Sequence, residues 1–271
     1  MAKEEIGNQE ILMCPPTYFA VEYKINPSMT SQVNRKKTEA QWLALKTALE
    51  KLKMRISLIA PIKHLPDLVF TADQGALYDH IFIKSNFRFK QRQSESDYVL
   101  EWFREKEFVI VELPKSAYFE GQGDFILFKD NILLGIGQRT NLKAAKIIKS
   151  LLNKKTITLK LINPYFNHLD TALCVLPDDT IIFYKKAFDM ESVKKIEKLS
   201  PNYISISKSD AYKLACNAVV YKNNIVVNKG LSKKLIRILR KHKLSVIEVP
   251  LSEFLKSGGG AHCLIWNGIV N

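Results

Sequence analysis

One stretch of sequence decides the fold: Asp124-Phe125-Ile126-Leu127-Phe128-Lys129-Asp130-Asn131-Ile132-Leu133-Leu134. Two short apolar runs of β-forming residues flank a polar turn, which is the pattern of a β-hairpin. The next segment, Leu142–Leu152, has the pattern of a helix, and Thr156–Leu161 has the pattern of a strand. The stretch and its surroundings therefore predict a unit of hairpin, helix and strand, or ββαβ.

The same unit recurs along the chain at intervals of about 45–50 residues. Further predicted hairpins are Gln74–Ile83, Ala172–Phe183 and Ala218–Val227, and a fifth, partial copy begins near Gly260. The predicted helices are Ser31–Lys53, Ser94–Lys106, Glu191–Leu199 and Ser232–His242. The strands predicted to follow them are Ile56–Ala60, Val109–Leu113, Tyr203–Ser207 and Leu244–Val249.

A repeat of this period favours a ring of units over an ordinary open α/β sheet, the alternative for such a pattern. The N-terminal run Ile11–Phe19 supplies the strand that the incomplete last copy lacks. Such a closure removes free sheet edges. No linker-like segment divides the chain, so residues 1–271 are predicted to form a single domain, a ring of about five ββαβ units.

Composition and hydropathy indicate in which cellular compartment the protein is expected. No apolar run approaches the roughly 18 residues that cross a membrane. The segment Met1–Glu10 is polar and lacks the basic and apolar regions of a signal peptide, so the expected location is cytoplasmic. The four cysteines form no CxxC or CxxH pair, which argues against a zinc site and favours reduced thiols.

The formal net charge of +14 invites a nucleic-acid interpretation. However, the lysines are scattered, often over predicted helix faces, and no basic tail or aromatic RNA-binding signature is present. A basic surface that solubilises the protein or attracts anionic ligands is the preferred interpretation. Neither nucleic acid nor a membrane is expected as a partner, and a homo-oligomer is left open.

Polar residues occur at equivalent places, just before or within the first strand of each hairpin. They are Asp73, Glu120 with Asp124, His168 with Asp170, and Cys263. If the repeats surround an axis, these positions converge at one end of it. A thiol can attack carbon, an imidazole can move protons, and carboxylates can bind a cation or orient the imidazole. The set predicts a catalytic site for a cationic substrate.

Each residue also has a structural interpretation when taken alone. Cys263 can be a small buried side chain, His168 a hydrogen-bonded core histidine, and the aspartates turn caps. Their joint register with the repeat is what favours a site. The other cysteines are interpreted as buried packing residues, and His64, His80, His242 and His262 as structural or surface residues.

With these residues in place, the chain resembles the guanidino-group-modifying superfamily, whose fold is a pentein-like, five-bladed α/β propeller. The matching stretches are Met13-Cys14-Pro15-Pro16, Ile25-Asn26-Pro27, Phe70-Thr71-Ala72-Asp73, Phe119-Glu120-Gly121-Gln122-Gly123-Asp124, Gly135-Ile136-Gly137-Gln138-Arg139-Thr140, His168-Leu169-Asp170 and the glycine run into Cys263. The resemblance extends over essentially the whole chain, and the motifs follow in family order.

The resemblance implies a mechanism. Cys263 is the nucleophile toward a guanidinium carbon and forms a thiouronium intermediate, and His168 protonates the departing amine and then activates water. Glu120 orients His168. By the same resemblance, Asp73 and Asp170 bind the guanidinium nitrogens, and no metal or organic cofactor is needed. Arg92 and Arg139 are candidates for holding the substrate carboxylate, with Arg88 an alternative to Arg92.

The resemblance implies a hydrolase in arginine metabolism that converts arginine or N-methylated arginine to citrulline plus ammonia or methylamine. An amidinotransferase or arginine dihydrolase with the same thiol is the alternative, and an inactive basic binding protein is a remote one. The chain lacks room for the helical insertion of the long arginine deiminases. The dihydrolase subgroup carries asparagine at the position of Asp73, which speaks against that activity.

Overall fold

The computed structural model describes residues 10–106 and 108–268. The strands are β1 (Glu10–Met13), β2 (Arg55–Leu58), β3 (Gly75–Tyr78), β4 (Ile81–Lys84), β5 (Val109–Val111), β6 (Phe125–Phe128), β7 (Asn131–Ile136), β8 (Lys155–Lys160), β9 (Leu173–Val175), β10 (Ile181–Phe183), β11 (Ile204–Ser205), β12 (Val219–Tyr221), β13 (Asn224–Asn228), β14 (Ser245–Val249) and β15 (Trp266–Gly268). The helices are α1 (Arg35–Lys51), α2 (Gln93–Arg104), α3 (Leu142–Leu152), α4 (Leu169–Ala172), α5 (Met190–Leu199), α6 (Lys208–Ala211), α7 (Lys233–Lys241) and α8 (Ser252–Leu255).

The strands form five three-stranded sheets, which confirms the predicted five-bladed α/β propeller. Four sheets each combine an antiparallel hairpin with a third strand parallel to the second: β3–β4–β5, β6–β7–β8, β9–β10–β11 and β12–β13–β14. A long helix connects the second and third strands of each, because parallel neighbours need a crossover connection. The predicted ββαβ unit is therefore confirmed.

The fifth sheet joins the two ends of the described chain. Strand β1 pairs antiparallel with β15, with Glu10 opposite Gly268, and parallel with β2, with Glu10 opposite Arg55. The first run of the chain thus supplies the strand missing from the last repeat, as predicted. That residues 1–271 form a single domain stays a prediction, since residues 1–9, 107 and 269–271 lie outside the described part.

Several elements are shorter than predicted, and the two largest differences have a local reason. The strand predicted over Ile11–Phe19 ends at Met13, because Pro15 and Pro16 lack the N–H that a sheet needs. The helix predicted from Ser31 begins at Arg35, because the Asn34 side chain accepts a hydrogen bond from the backbone N–H of Lys37 and caps the helix there.

The first strands of the hairpins line a central cavity, which we call the axial cavity. One strand of each sheet contributes to it, represented by Leu77, Phe125, Leu173, Val219 and Asn267. Its walls are mainly apolar, and Asp170 and His262 reach it from the end that carries the candidate site. Among the described residues no helix is long and apolar enough to cross a membrane.

Trp266 attaches the closing sheet to the first hairpin. Its side chain is 1% exposed and packs against Phe103 with ring centroids 4.6 Å apart. Its indole Nε1 donates a hydrogen bond of 3.0 Å to the Gly75 carbonyl. Packing and hydrogen bonding therefore both act at the seam between blades.

Replacing Trp266 with alanine is expected to lower the free energy of unfolding by about 3–5 kcal/mol, the range for losing a large buried aromatic side chain. Urea denaturation followed by circular dichroism measures this. Leu43→Ala is the control, because Leu43 lies in α1 and is 56% exposed, so its removal changes stability by about 0.5 kcal/mol or less. Equal losses in the two variants would contradict the assigned role of Trp266.

Candidate functional site

A short turn precedes the first strand of each hairpin and carries the predicted site residues. Asp73 lies in a 3-10 turn, Thr71–Gln74, and Glu120 directly precedes another. His168 is the residue before α4, Asp170 lies within that helix, and Cys263 shortly precedes β15. The structure brings these five side chains together at one end of the axial cavity, and three of them, Asp73, His168 and Cys263, line a second, smaller cavity.

Glycine at position 123 lets two of the site side chains approach its backbone closely. A Cβ atom placed there would lie 2.8 Å from Asp73 Oδ1 and 2.9 Å from His168 Cγ. Gly121 adopts a φ of +58°, and a Cβ there would lie 2.6 Å from the Ala72 carbonyl oxygen. The two glycines of the Glu120–Asp124 motif are therefore needed for the turns to meet.

His168 is buried between two carboxylates. Its Nε2 donates to Glu120 Oε2 at 2.9 Å, and its Nδ1 lies 3.5 Å from Asp73 Oδ1. Burial by itself lowers the pKa of His168, but Asp73, Glu120 and Asp124 outweigh burial and raise the pKa to about 9. Burial opposes the charge on Glu120, yet Arg139 and His168 lower its pKa to about 2. A buried imidazolium–carboxylate pair therefore persists at neutral pH.

Two buried arginines form ion pairs with carboxylates of the cluster. Arg92 contacts Asp73 Oδ2 at 2.8 Å and Glu95 Oε2 at 2.8 Å. Arg139 contacts Glu120 Oε2 at 2.9 Å, and its Nε has no hydrogen-bond partner among the described residues. Both arginines line the smaller cavity. Arg88 instead donates to the Gln138 carbonyl oxygen at 2.6 Å.

Cys263 is 3% exposed and lies beside two acids. Its Sγ is 3.5 Å from Asp170 Oδ2, the acceptor of the S–H group. Burial raises the pKa of this thiol well above its usual range, and Asp170 and Asp73 raise it further. Cys263 is therefore a neutral thiol near pH 7, and a cation bound next to it would favour the thiolate.

A family model described as eukaryotic N,N dimethylarginine dimethylhydrolase matches residues 16–270. The chain belongs to this family. The N(G),N(G)-dimethylarginine dimethylaminohydrolase of Mycobacterium tuberculosis is 36% identical over 253 residues, which cover 93% of this chain and 83% of that protein. The predicted membership of the guanidino-group-modifying superfamily is confirmed.

Some relatives of this member of the dimethylarginine dimethylaminohydrolase family are longer than the chain itself. The bifunctional arginine dihydrolase/ornithine cyclodeaminase AgrE of Nostoc sp. is 37% identical over 260 residues, which cover 93% of this chain and 37% of that protein. This chain thus spans well under half of that curated relative. The substrate-bound N-terminal domain of ArgZ, a cyanobacterial arginine dihydrolase, superposes with a TM-score of 0.93 at 35% identity, covering 96% of this chain and 97% of that chain.

Asn217 is a site residue that the sequence pattern did not reveal. Its Nδ2 donates to Cys263 Sγ at 3.1 Å, and its Oδ1 accepts from the backbone N–H groups of Cys263 and Gly260 at 3.1 and 3.0 Å. The amide therefore fixes both the thiol and the loop that carries it. Asn217 precedes the first strand of the fourth hairpin, the place that the predicted site residues occupy in their own repeats. This shared position is the sequence signal that could have identified it.

His262, interpreted from the sequence as a structural or surface residue, contacts a predicted site residue. Its Nδ1 lies 2.8 Å from Asp170 Oδ2, on a carboxylate of the site. Asp124, by contrast, accepts a hydrogen bond from the Leu169 backbone N–H and serves the turn. Cys14, Cys174 and Cys216 are buried, as predicted. No metal-binding group of three or more His, Cys, Asp or Glu residues occurs within residues 10–106 and 108–268.

The His168 ring is expected to titrate near pH 9 in the empty protein, because its neighbouring carboxylates raise its pKa. Asp73→Asn removes one of these carboxylates, so the ring should lose its proton at a lower pH. NMR titration of ring-labelled histidines measures both values. Asp178→Asn is the control, because Asp178 pairs with the distant His242 and its loss should leave His168 unchanged. A titration near pH 6.5 in the parent protein would contradict the buried ion pair.

Asn217→Asp keeps the acceptor for the two backbone N–H groups but replaces the donor to Sγ by a negative charge. The pKa of Cys263 should rise further, and iodoacetamide should label Cys263 at least about tenfold more slowly at a fixed pH, the effect of one pKa unit. Peptide mass spectrometry measures the rate. Asn228→Asp is the control, since Asn228 is also a buried, hydrogen-bonded asparagine but lies away from the thiol. An unchanged rate in Asn217→Asp would remove Asn217 from the site.

Proposed function

We propose that this chain is a cysteine-dependent hydrolase of arginine or N-methylated arginine that yields citrulline plus ammonia or a methylamine. One observation carries the proposal. Asp73 Oδ1 and Asp170 Oδ1 are buried carboxylate oxygens with no hydrogen-bond partner among the described residues, and both carboxylates lie close enough to Cys263 to raise the pKa of its thiol. Unpartnered buried acceptors of this kind require a donor.

A guanidinium group meets that requirement. It is planar, positively charged and surrounded by N–H donors, so two carboxylates can each accept from a separate edge. Bound between Asp73 and Asp170, its charge would counter the acids that disfavour the thiolate of Cys263. The site would thus activate its nucleophile only when a cationic substrate is present.

The proposed reaction uses the two protonation states of His168. When the cationic substrate binds, the Cys263 thiol loses its proton to solvent. The thiolate attacks the guanidinium carbon, an S–C bond forms, the C–N bond to the leaving amine breaks, and the imidazolium of His168 gives its proton to that amine. The neutral imidazole then takes a proton from water, which attacks the thiouronium carbon and releases citrulline. Glu120 holds Nε2 of the ring and keeps it oriented through both steps.

Arg92 and Arg139 are proposed to hold the substrate carboxylate. Both line the smaller cavity, and the partnerless Nε of Arg139 supports this role. Arg92 is more fully occupied, because Asp73, Glu95 and the Asp67 carbonyl already accept from its guanidinium. For this reason we propose that Arg139 contributes more than Arg92 to binding the substrate carboxylate.

A dihydrolase outcome is the second candidate, because the arginine dihydrolase domain of ArgZ superposes so closely on this chain. A variant of that domain was solved covalently bound to a reaction intermediate. The acid at position 73 favours the citrulline outcome, since the dihydrolase subgroup that the sequence resembles carries asparagine there. An amidinotransferase would differ only in the group that attacks the thiouronium carbon, an amine in place of water. The cytoplasmic location, the absence of nucleic-acid partners and any self-association stay predictions.

Incubation of the protein with arginine and with dimethylarginine, followed by mass spectrometry of the products, tests the function. Citrulline with ammonia or dimethylamine is expected, and ornithine would instead indicate a dihydrolase or a transferase. Cys263→Ser should lower the rate by several orders of magnitude while binding persists, because the covalent nucleophile is lost. Cys216→Ser is the control, since Cys216 is buried outside the smaller cavity. Turnover by Cys263→Ser would refute the mechanism.

A further inference from the structure

His262 lies directly before Cys263 in the sequence, but its side chain lines the axial cavity, whereas Cys263 lines the smaller cavity. The side chain of His262 is 23% exposed, whereas Asp170 is 2% exposed. Its Nδ1 is 2.8 Å from Asp170 Oδ2. A carboxylate only accepts hydrogen bonds, so Nδ1 carries the proton of this contact. The imidazole therefore holds Asp170 from outside the smaller cavity.

The two carboxylate oxygens of Asp170 have different hydrogen-bonding environments. Oδ2 accepts from His262 and also lies 3.5 Å from Cys263 Sγ. Oδ1 is buried and without a partner among the described residues. Within that part of the chain, His262 and Cys263 are the only hydrogen-bond partners of this carboxylate. No backbone N–H of the short helix α4 holds it, so its rotation depends on His262.

Asp73 shows the same division. Its Oδ2 is held by Arg92 at 2.8 Å, and its Oδ1 is buried without a hydrogen-bond partner in the described chain. Each carboxylate is thus held through one oxygen by a basic side chain. The other oxygen of each has no hydrogen-bond partner among the described residues, although Asp73 Oδ1 lies 3.5 Å from the charged ring of His168. Two separate turns of the chain have the same arrangement, which indicates a shared task.

We infer that His262 is a positioning residue for guanidinium recognition: its Nδ1–H anchors Asp170 Oδ2 so that Asp170 Oδ1 stays directed at the guanidinium nitrogens. The inference rests on the proposed function and extends it. His262 itself does not touch the substrate, because it lies on the axial-cavity side of the carboxylate. It acts on Asp170 as Arg92 acts on Asp73.

Calorimetric titration in a Cys263→Ser background tests the inference, because binding is then separated from turnover. His262→Ala should weaken arginine binding at least about tenfold, the scale of losing one hydrogen bond to a charged group. Neutral citrulline should bind weakly and equally with or without His262. His262→Asn should restore most of the arginine affinity, because its amide N–H can donate from close to the Nδ1 position.

His242→Ala is the matched control, since His242 makes the same kind of contact, 2.7 Å from Nδ1 to Asp178 Oδ2, far from the site. It should leave arginine affinity unchanged. If His262→Ala does not fold, His262→Gln replaces it, because a longer side chain places its donor away from Nδ1 and should not restore binding.

Three outcomes would overturn the inference: unchanged arginine affinity in His262→Ala, no recovery in His262→Asn, or an equal loss of citrulline and arginine binding. The last would indicate a merely structural role. A site that does not recognise a guanidine at all looks different, since the parent Cys263→Ser protein would then bind neither ligand, and a dihydrolase would show itself by its product, ornithine. In the active enzyme, His262→Ala should raise KM for the guanidine more than it lowers kcat.

Discussion

Strand β1 pairs with β15 on one side and with β2 on the other, and this double pairing holds the five sheets in a ring. The position of the thiol follows from it. Cys263 shortly precedes β15, its carbonyl oxygen accepts from the Ala72 backbone N–H, and the Thr71 hydroxyl donates to the Leu12 carbonyl oxygen. The closing strand, the turn that carries Asp73 and the Cys263 thiol are therefore held by one set of hydrogen bonds.

The ring then imposes an electrostatic constraint. Five turns point their polar side chains at one end of the axis, and most of those side chains are acids. Burying several carboxylates together is costly unless each is paired. Arg92 and Arg139, the imidazolium of His168 and the Nδ1–H of His262 provide the pairing. One oxygen of Asp73 and one oxygen of Asp170 still have no hydrogen-bond partner among the described residues. Within a chain of net charge +14, this acidic centre is set apart from the basic surface.

Local patterns were enough to predict the repeating unit, because hairpin turns and helical spacing depend on neighbouring residues. The register of polar residues within that unit was enough to predict Asp73, Glu120, His168, Asp170 and Cys263 as one cluster. Asn217 occupies the corresponding place in the fourth repeat but carries no charge, so the pattern of titratable residues does not include it. His262 was missed because its partner, Asp170, is 92 positions away, and no local pattern records such a contact.

The closing pairs join residues at almost the greatest separation that the described chain allows, with Glu10 opposite Gly268. Contacts of such separation carry a large loop-closure cost and form slowly, while the four internal hairpins need only short loops. Folding should therefore produce preformed blades before the seam closes. Cys263, three residues from the seam strand, becomes enclosed only at that last step. The reactivity of a single thiol would then report in real time on the completion of the ring.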